Sequence, residues 1–380
     1  MKHVDYIISG AGAAGLMLAY RMANDPFFDH RSILIIDPVL RNEEDRTWCF
    51  WESDASEWED IVSKSWGSIY VAHSSSLKKI PIAPYRYKMV QSKDFYNKVW
   101  TVLKSKSNIQ FLQEEIKELI PRKEKVEVHT QKSKYEASKV FNSIPNFIDY
   151  QTQEKYPVLQ QHFVGWFIET DESSFDETTA TFMDFSIPQE GNTRFMYVLP
   201  FSKNEALFEY TLFSKDLLSF DRYEQGIKAY LDHKGITNYK INRKEQGAIP
   251  MTTYPFASHN SSNLLHIGTN GGWTKASTGY TFRNCSKKTK ALIDVLKTGN
   301  DLKEFNKKSK FEFYDRLFLD VLASKNEQGG ELFTRLFDKT DIHILLKFLD
   351  EDTNFKEDLS IMSAVPPLTF SKALLKRLIT

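Results

Sequence analysis

An apolar run, Tyr6-Ile7-Ile8-Ser9, turns into Gly10-Ala11-Gly12-Ala13-Ala14-Gly15 and then into Leu16-Met17-Leu18-Ala19-Tyr20. This is Gly-x-Gly-x-x-Gly set between a strand and a helix, and it commits the N-terminal region to a βαβ unit. Gly10 serves the tight turn, Gly12 the close approach of backbone to ligand, and Gly15 the close packing of helix on strand. Free backbone N–H groups around Gly12, Ala13 and Ala14, at the positive end of a helix dipole, suit a dinucleotide pyrophosphate. The next apolar run, Ser32-Ile33-Leu34-Ile35-Ile36, ends in Asp37, where a carboxylate can grip a ribose hydroxyl. A ligand-free Gly/Ala turn would leave Asp37 unexplained.

The chain of 380 residues has room for a large core and two or three structural regions. Its formal net charge of zero gives no electrostatic case for nucleic acid. Two cysteines, Cys49 and Cys285, form neither a disulfide framework nor a metal-ligand spacing, so no metal is expected and a cytoplasmic setting is the default. The first strand begins within a few residues of Met1, which is expected to leave no room for a signal peptide. No apolar run approaches the ~18–20 residues that span a bilayer, although the protein could still lie on one. Aromatic residues make up 14% of the chain, with 28 Phe, enough either for core packing or to line a site for a long apolar ligand.

The pattern along the chain predicts an α/β protein. Residues 38–67 read as irregular, 68–72 and 79–82 as short strands, and 94–105 as a helix with Phe95, Val99, Val102 and Leu103 on one face. Residues 109–112, 126–130 and 139–143 read as strands returning to the nucleotide-binding sheet. Short-interval strands follow, at 163–168, 180–185, 194–199 and 206–212, with one helix near 222–234. Residues 1–150 and 256–300 are therefore expected to form a discontinuous Rossmann-type dinucleotide-binding domain. Residues 151–255 are expected to form an antiparallel β-sheet substrate domain, and 301–380 a helical C-terminal region.

The reading of FAD rests on a second glycine turn. Gly268-Thr269-Asn270-Gly271-Gly272 follows a short strand, and Ser277-Thr278-Gly279-Tyr280 opens the next helix, predicted over 280–297. FAD needs such a second docking point for its ribityl and isoalloxazine parts, provided the turn folds back onto the first. Otherwise it is a surface loop. Cofactor contacts are thus expected from Gly10, Gly12, Ala13, Ala14, Gly15, Asp37, Gly268, Gly271, Gly272, Thr278 and Gly279.

Leu207, Glu209, Thr211 and Phe213 share one face of a strand whose other face carries Phe208, Tyr210 and Leu212. Both faces are apolar enough to be covered. A carboxyl there is costly unless paired or protonated, and desolvation raises its pKa toward that of a general acid. A place at the sheet rim, or pairing with Arg194, remains open. Asp45-Arg46-Thr47-Trp48-Cys49-Phe50-Trp51-Glu52 mixes aromatics with charge. Arg46 is a cofactor candidate, and Asp45, Trp48, Trp51, Glu52, Trp273 and Lys275 are candidates for the substrate or flavin edge. A solvated loop anchored by its tryptophans is the alternative for that segment.

Four segments in order, Asp45–Glu52, Phe208-Glu209-Tyr210-Thr211-Leu212-Phe213-Ser214, Ile249-Pro250-Met251-Thr252, and Gly271-Gly272 through Lys275 to Ser277-Thr278-Gly279-Tyr280-Thr281-Phe282, resemble the flavin-dependent lycopene cyclases of bacteria and plants. That family lies within a wider group of FAD hydroxylases and geranylgeranyl reductases, so the resemblance implies that residues 1–150 and 256–300 form a discontinuous Rossmann-type FAD-binding domain of the glutathione-reductase-2-like kind. The resemblance implies closure of the ends of linear lycopene, or a related acyclic carotenoid, into β-ionone rings. It also implies reduced FAD without net redox change, NAD(P)H as electron donor, and Glu209 as catalytic acid/base, with the last proton leaving to its conjugate base or to a flavin nitrogen. Two positions depart from the family pattern. Thr253 stands where an Asp is usual, and Asn142-Ser143-Ile144 where Asp-Ser-Arg is usual.

A lipid-borne substrate implies a peripheral membrane partner and no obligate protein partner. Residues 370–379 form a short basic amphipathic candidate for that contact, or else a terminal helix packed on its own core. Two other functions compete: an FAD monooxygenase or reductase of the same architecture, and a non-catalytic flavin- or carotenoid-binding protein. Gly268-Thr269-Asn270, in place of the hydroxylases' Gly-Asp-Ala, argues against the first, and Glu209 against the second.

Overall fold

A computed structural model describes residues 2–73, 76–145, 147–305 and 309–379, with the side chains at 378 and 379 outside that description. The chain opens with β1 (Lys2–Ser9), α1 (Ala13–Ala23) and β2 (Ile33–Ile36). It continues through β3 (Thr47–Glu52), β4 (Val62–Trp66), β5 (Ser68–His73), β6 (Ser76–Pro81), β7 (Arg86–Gln91), α2 (Ser92–Lys104) and β8 (Ile109–Leu112). Next come β9 (Ile116–Pro121), β10 (Val126–Thr130), β11 (Lys134–Asn142), β12 (Leu159–Thr170), β13 (Thr179–Asp184), β14 (Thr193–Pro200) and β15 (Glu205–Ser214). Then follow α3 (Phe220–His233), β16 (Tyr239–Met251), β17 (Leu264–His266) and α4 (Phe282–Thr298). The last helices are α5 (Lys310–Ser324), α6 (Gly329–Lys339), α7 (Ile342–Leu349), α8 (Phe355–Ala364) and α9 (Pro367–Ile379).

The first sheet runs β8-β2-β1-β11-β10-β9, with β17 also joined to β11. Its core, β8, β2, β1, β11 and β17, is parallel, and the β9–β10–β11 meander is antiparallel. β1 is apolar on successive residues because both of its faces are covered. One cluster joins Ile8 and Ile35 to Leu16, Phe95, Val99, Leu103, Leu292 and Leu296 of α1, α2 and α4. The other joins Ile7, Leu34 and Ile36 to Leu119, Val126 and Val128 of the meander. This is the Rossmann-type dinucleotide-binding architecture expected from the first glycine turn. α4 starts at Phe282 rather than at 280, because Gly279 holds a positive φ of 75° and delays the helix.

The second sheet runs β16-β12-β15-β14-β13-β5-β6 and is antiparallel except where β13 meets β5. α3 covers one face, placing Tyr223, Ile227, Tyr230 and Leu231 against Phe208, Tyr210 and Leu212. On the other face Leu207, Phe195 and Phe213 pack with Phe333, Leu336 and Phe337 of the helical region. The strands at 68–72 and 79–82, assigned by position to the nucleotide domain, hydrogen-bond to the second sheet instead: β5 pairs with β13, and β6 with β5. Strand order in sequence says nothing of which sheet edge is free to accept a strand. The stretch at 38–67 is also not irregular throughout, since β3 and β4 flank β7 in a small third sheet. Trp51, Trp58 and Trp66 are its buried anchors.

The five helices α5–α9 close over the open face of the second sheet. No helix among the described residues is long and apolar enough to cross a membrane.

Candidate active site

One cavity of about 890 Å³ runs from the glycine turns to the helical region. That is within the usual range for a cofactor or ligand site. Its polar end is built by the two turns. Gly10 adopts φ 96°, and a Cβ on Gly15 would fall 2.1 Å from the carbonyl oxygen of Gly10, so only glycine lets α1 seat on β1. Gly12, Ala13 and Ala14 face the cavity, and a Cβ at Gly12 would meet nothing within 4 Å. The start of α1 has neither a side-chain cap nor an acidic residue in its first turn, so its dipole meets the cavity unneutralised.

The second turn does fold back onto the first. Gly268, at φ 63°, lies so close to α1 that a Cβ there would be 2.9 Å from that of Ala14. His266 holds the turn from behind, its Nδ1 meeting the amides of Asn142 (3.2 Å) and Asn270 (3.1 Å). Burial depresses the pKa of this imidazole to about 4, so it remains neutral. Asn142, a departure from the family pattern, thus becomes a brace of the second turn. Along this end the Asn270 Oδ1, Thr278 Oγ1 and Gln161 Oε1 atoms are buried without a hydrogen-bond partner. Buried polar atoms are rarely left so. An uncapped helix start, two stacked glycine turns and orphaned polar groups together fit a dinucleotide with a polar tail. Gly15→Ala is expected to weaken FAD retention about 10- to 100-fold, following the ~1–3 kcal/mol cost of overpacking. Bound flavin absorbance after desalting measures it, and wild-type retention would disprove the cradle.

The far end is apolar, walled by Phe182, Phe195, Leu207, Phe213, Phe333, Phe337, Phe348 and Ile361. One polar cluster breaks this wall. Glu209, mid-strand in β15 and 8% exposed, faces the cavity beside Tyr197, its register partner on β14. The Tyr87 hydroxyl bonds to those of Tyr197 (2.5 Å) and Tyr280 (3.2 Å). Cys49 lies against the same hydroxyls, and burial pushes its thiol well up. On the other side of Glu209 stands Glu245 of β16, whose Oε2 accepts from Thr47 Oγ1 at 3.0 Å. Burial, then the charge and hydrogen bond of Glu245, hold the Glu209 carboxyl far above the ordinary carboxylate range. Burial thus favours the protonated form of Glu209, in a largely apolar chamber that opens onto the dinucleotide cradle.

The two alternatives for Glu209 are settled by geometry. It is not at the rim, and Arg194 lies on the opposite face, engaged with Glu190 and Tyr210. Arg46, Asp45 and Trp48 line the cavity, as do Gly268, Thr278 and Gly279. Trp48 stacks on Phe282 at 5.3 Å, and Asp45 accepts from Tyr96 (3.1 Å) and Arg41 (3.3 Å). Gly10, Gly15, Gly271 and Gly272 shape the turns from behind the lining.

Five other candidates lie outside the cavity lining. Both carboxylate oxygens of Asp37 are engaged by backbone, accepting from Ala11 N (2.7 Å) and Val39 N (2.8 Å), and the residue lies outside the cavity lining. It braces the first glycine turn. Trp51 sits one layer back, its ring against Tyr280 and its Nε1 donating to Leu346 O. Glu52 is buried in ion pairs with Lys88 and Arg283, both at 3.0 Å. Trp273 packs against Phe305. Lys275 is wholly buried between Asp315 (3.0 Å) and Glu351 (3.1 Å), tying the second turn to the helices. Aromatic and charged residues beside a motif look alike in sequence whether they face the ligand or the layer behind it.

Glu245 was not identifiable from sequence. It sits in Arg243-Lys244-Glu245-Gln246, which reads as a solvated charge run. Its inward orientation follows from the alternation of the long β16, where 241, 243, 245, 247 and 249 are the more buried positions.

The four sequence segments quoted above converge on this one cavity, which supplies Thr47, Trp48, Glu209, Ile249, Pro250, Thr278 and Gly279. Similar folds are found in a flavoprotein/dehydrogenase from Cytophaga hutchinsonii (TM-score 0.64, 11% identity, 99% of both chains) and a geranylgeranyl bacteriochlorophyll reductase-like protein from Thermoplasma acidophilum (TM-score 0.60, 9% identity, 98% of both chains). A probable FAD-dependent monooxygenase from Pseudomonas aeruginosa is also similar (TM-score 0.61, 13% identity, 89% of this chain and 100% of that one). At these identities the likeness concerns the fold.

In sequence, the chain is 27% identical over 296 residues to the chloroplastic lycopene beta cyclase of Arabidopsis thaliana, covering 73% of this chain and 57% of that protein. It is 24% identical over 326 residues to the chloroplastic neoxanthin synthase of Solanum lycopersicum, covering 78% and 61%. It thus spans about three-fifths of these relatives' length. The Lycopene cyclase protein family profile matches residues 5–375, nearly the whole chain and every element that builds the cavity. The chain belongs to the lycopene cyclase family.

Proposed function

We propose that this protein closes the ends of lycopene, or a related acyclic carotenoid, into β-ionone rings, with reduced FAD in the cradle and NAD(P)H as the source of its electrons. The observation that carries this reading is a buried carboxyl, Glu209, facing a largely apolar chamber continuous with the two glycine turns, where burial favours its protonated form. Family membership supports the same chemistry.

Gly12, Ala13, Ala14, Gly268 and Thr278 would hold the cofactor's polar parts, with Arg46 and Trp48 toward its ring. Reduced flavin, when bound, would supply negative charge beside a developing cation, with no net redox change. Glu209 protonates the terminal alkene, leaving a tertiary carbocation that the neighbouring double bond attacks to close a six-membered ring. The Glu209 carboxylate then takes back a ring proton, and the β-ring alkene forms. Phe182, Phe195 and Phe213 exclude water, which would otherwise trap the cation as an alcohol. Their faces, rather than those of Trp51 or Trp273, can add cation–π attraction of about 1–2 kcal/mol in a dry site.

A membrane surface is the proposed source of substrate, placing the protein in the cytoplasm as a peripheral membrane protein. The cavity mouth supports this, because its lining residues Leu217, Phe313, Met362 and Leu374 are at least 36% exposed. α9 combines the two readings of the tail. Phe370 and Leu374 line the cavity and Arg377 pairs with Asp320 of α5, while Leu368 and Leu375 point outward. Expression in a lycopene-accumulating bacterium is expected to convert the pigment to β-carotene, read by chromatography. Unchanged lycopene, with folded flavin-loaded protein present, would refute the assignment.

A further inference from the structure

We infer that Glu245 is the positioning partner of Glu209: it accepts the hydrogen bond of the Glu209 carboxyl across Gly165 and so keeps that proton in place, facing the chamber. This rests on Glu209 being the acid of the reaction proposed above.

The argument begins with register. Gly165 of β12 is opposite Glu209 on β15 and opposite Glu245 on β16. Two residues separated by an intervening strand stand roughly 9–10 Å apart at the backbone, and a side chain on that strand normally keeps them apart. Here that side chain is missing. A Cβ on Gly165 would lie 2.9 Å from Cγ of Glu209 and 3.2 Å from Cγ of Glu245, so both glutamates lean over the glycine, and their carboxyls are hydrogen-bonded to each other. A hydrogen bond between two carboxyls requires one shared proton.

The surroundings decide which oxygen carries it. Thr47 Oγ1 donates to Glu245 Oε2 at 3.0 Å, and Arg243 Nη1 lies 3.8 Å from the same atom. Arg46 adds a further positive charge near Glu245. Among the described residues, none with a positive charge acts on Glu209 in this way. Its other facing groups are Tyr197 of β14, Cys49 of β3 and, beyond them, Tyr87 of β7 and Tyr280 ahead of α4, all kept neutral by burial. Burial raises the pKa of both carboxyls, but only Glu245 has donors and cations that offset it, so the anion belongs to Glu245 and the proton to Glu209. In the protonation step the Glu209 O–H bond breaks and a C–H bond forms on the alkene. The pair is then doubly anionic beside the cation. When the ring C–H bond breaks, its electrons make the new double bond, the proton returns to Glu209, and the bond to Glu245 re-forms. Nothing is oxidised or reduced.

The test follows the protonated-carboxyl C=O band of the full-length protein by infrared difference spectroscopy against pH. The Glu209 band is assigned by its loss in Glu209→Gln. In Glu245→Gln the band is expected to titrate at least about one pH unit lower, since a like charge sharing the site raises a carboxyl's pKa strongly. The alkaline limb of kcat/KM should move with it, lowering the rate at alkaline pH about tenfold. Gly165→Ala keeps both carboxyls but wedges them apart, and a smaller shift in the same direction is expected. It also carries the test if Glu245→Gln does not fold. An unmoved band in the folded variants overturns the partnership while leaving Glu209 as the acid. Cyclisation at wild-type rate by Glu209→Gln instead removes Glu209 from the reaction, whatever the band does.

Discussion

Glu209→Gln is expected to leave lycopene unconverted, with ring closure slowed by about 10²–10⁴-fold, the usual contribution of a positioned general acid. The amide has the carboxyl's shape and can still donate to Glu245, so the chamber should keep its geometry and the cradle its cofactor. What is lost is a proton that can be given away. Pigment chromatography with dithionite-reduced FAD reads the result, and β-carotene at wild-type yield would exclude Glu209 from the chemistry.

The same substitution carries a stability signature of the opposite sign. The pKa of Glu209 is raised in the folded protein, first by burial and then by Glu245, so the native state keeps a proton that the unfolded chain releases above its ordinary value near 4.5. Stability must therefore fall as pH climbs from that value toward the folded-state pKa, by at most about 1.4 kcal/mol per unit of pH. Glutamine has no such proton. The variant should be as stable as wild type near pH 4.5 and more stable at pH 8, which urea unfolding at the two pH values measures. A carboxyl whose pKa is raised by folding shows this pattern, and one left at its ordinary pKa does not.

Lys275→Met is expected to cause the largest loss of stability, about 3–5 kcal/mol, the cost of leaving a buried charge without its partner. Burial alone pushes the Lys275 ammonium toward neutrality, but Asp315 and Glu351 overcome this and raise its pKa, so it stays charged. The rings of Phe311 and Phe348 sit at 5.4 and 5.7 Å from its Nζ. Removing the ammonium strands the carboxylate of Asp315 in a site with almost no water contact. This one ammonium joins the second glycine turn to α5 and to the segment after α7, so cofactor retention should weaken along with stability. A urea midpoint unchanged from wild type would mean that the helical region is held by its apolar contacts alone.

Local chemistry made much of this protein legible. The first glycine turn, the helices 94–105 and 222–234 and the strand around Glu209 follow from periodicities within single segments, and α2, α3 and β15 occupy those places. The Glu209 strand was readable because apolar residues on both of its faces already require a covered strand. β5 and β6 fall within the span 1–150 expected for the nucleotide domain yet join the second sheet, because strand partners are chosen by free edges, which a sequence does not display. Trp51, Trp273, Glu52 and Lys275 looked like site residues because they adjoin motif positions, yet their side chains point into the layer behind the cavity.

The sequence by itself determined a dinucleotide-binding βαβ unit, a second glycine turn and a carboxyl confined in a covered strand, since each depends on neighbours within a few residues. Only the tertiary structure decided that Gly268 closes on Ala14, that Lys275 is a clasp, and that Glu245 meets Glu209 over Gly165. Those are properties of register and packing between distant segments, and no segment carries them alone.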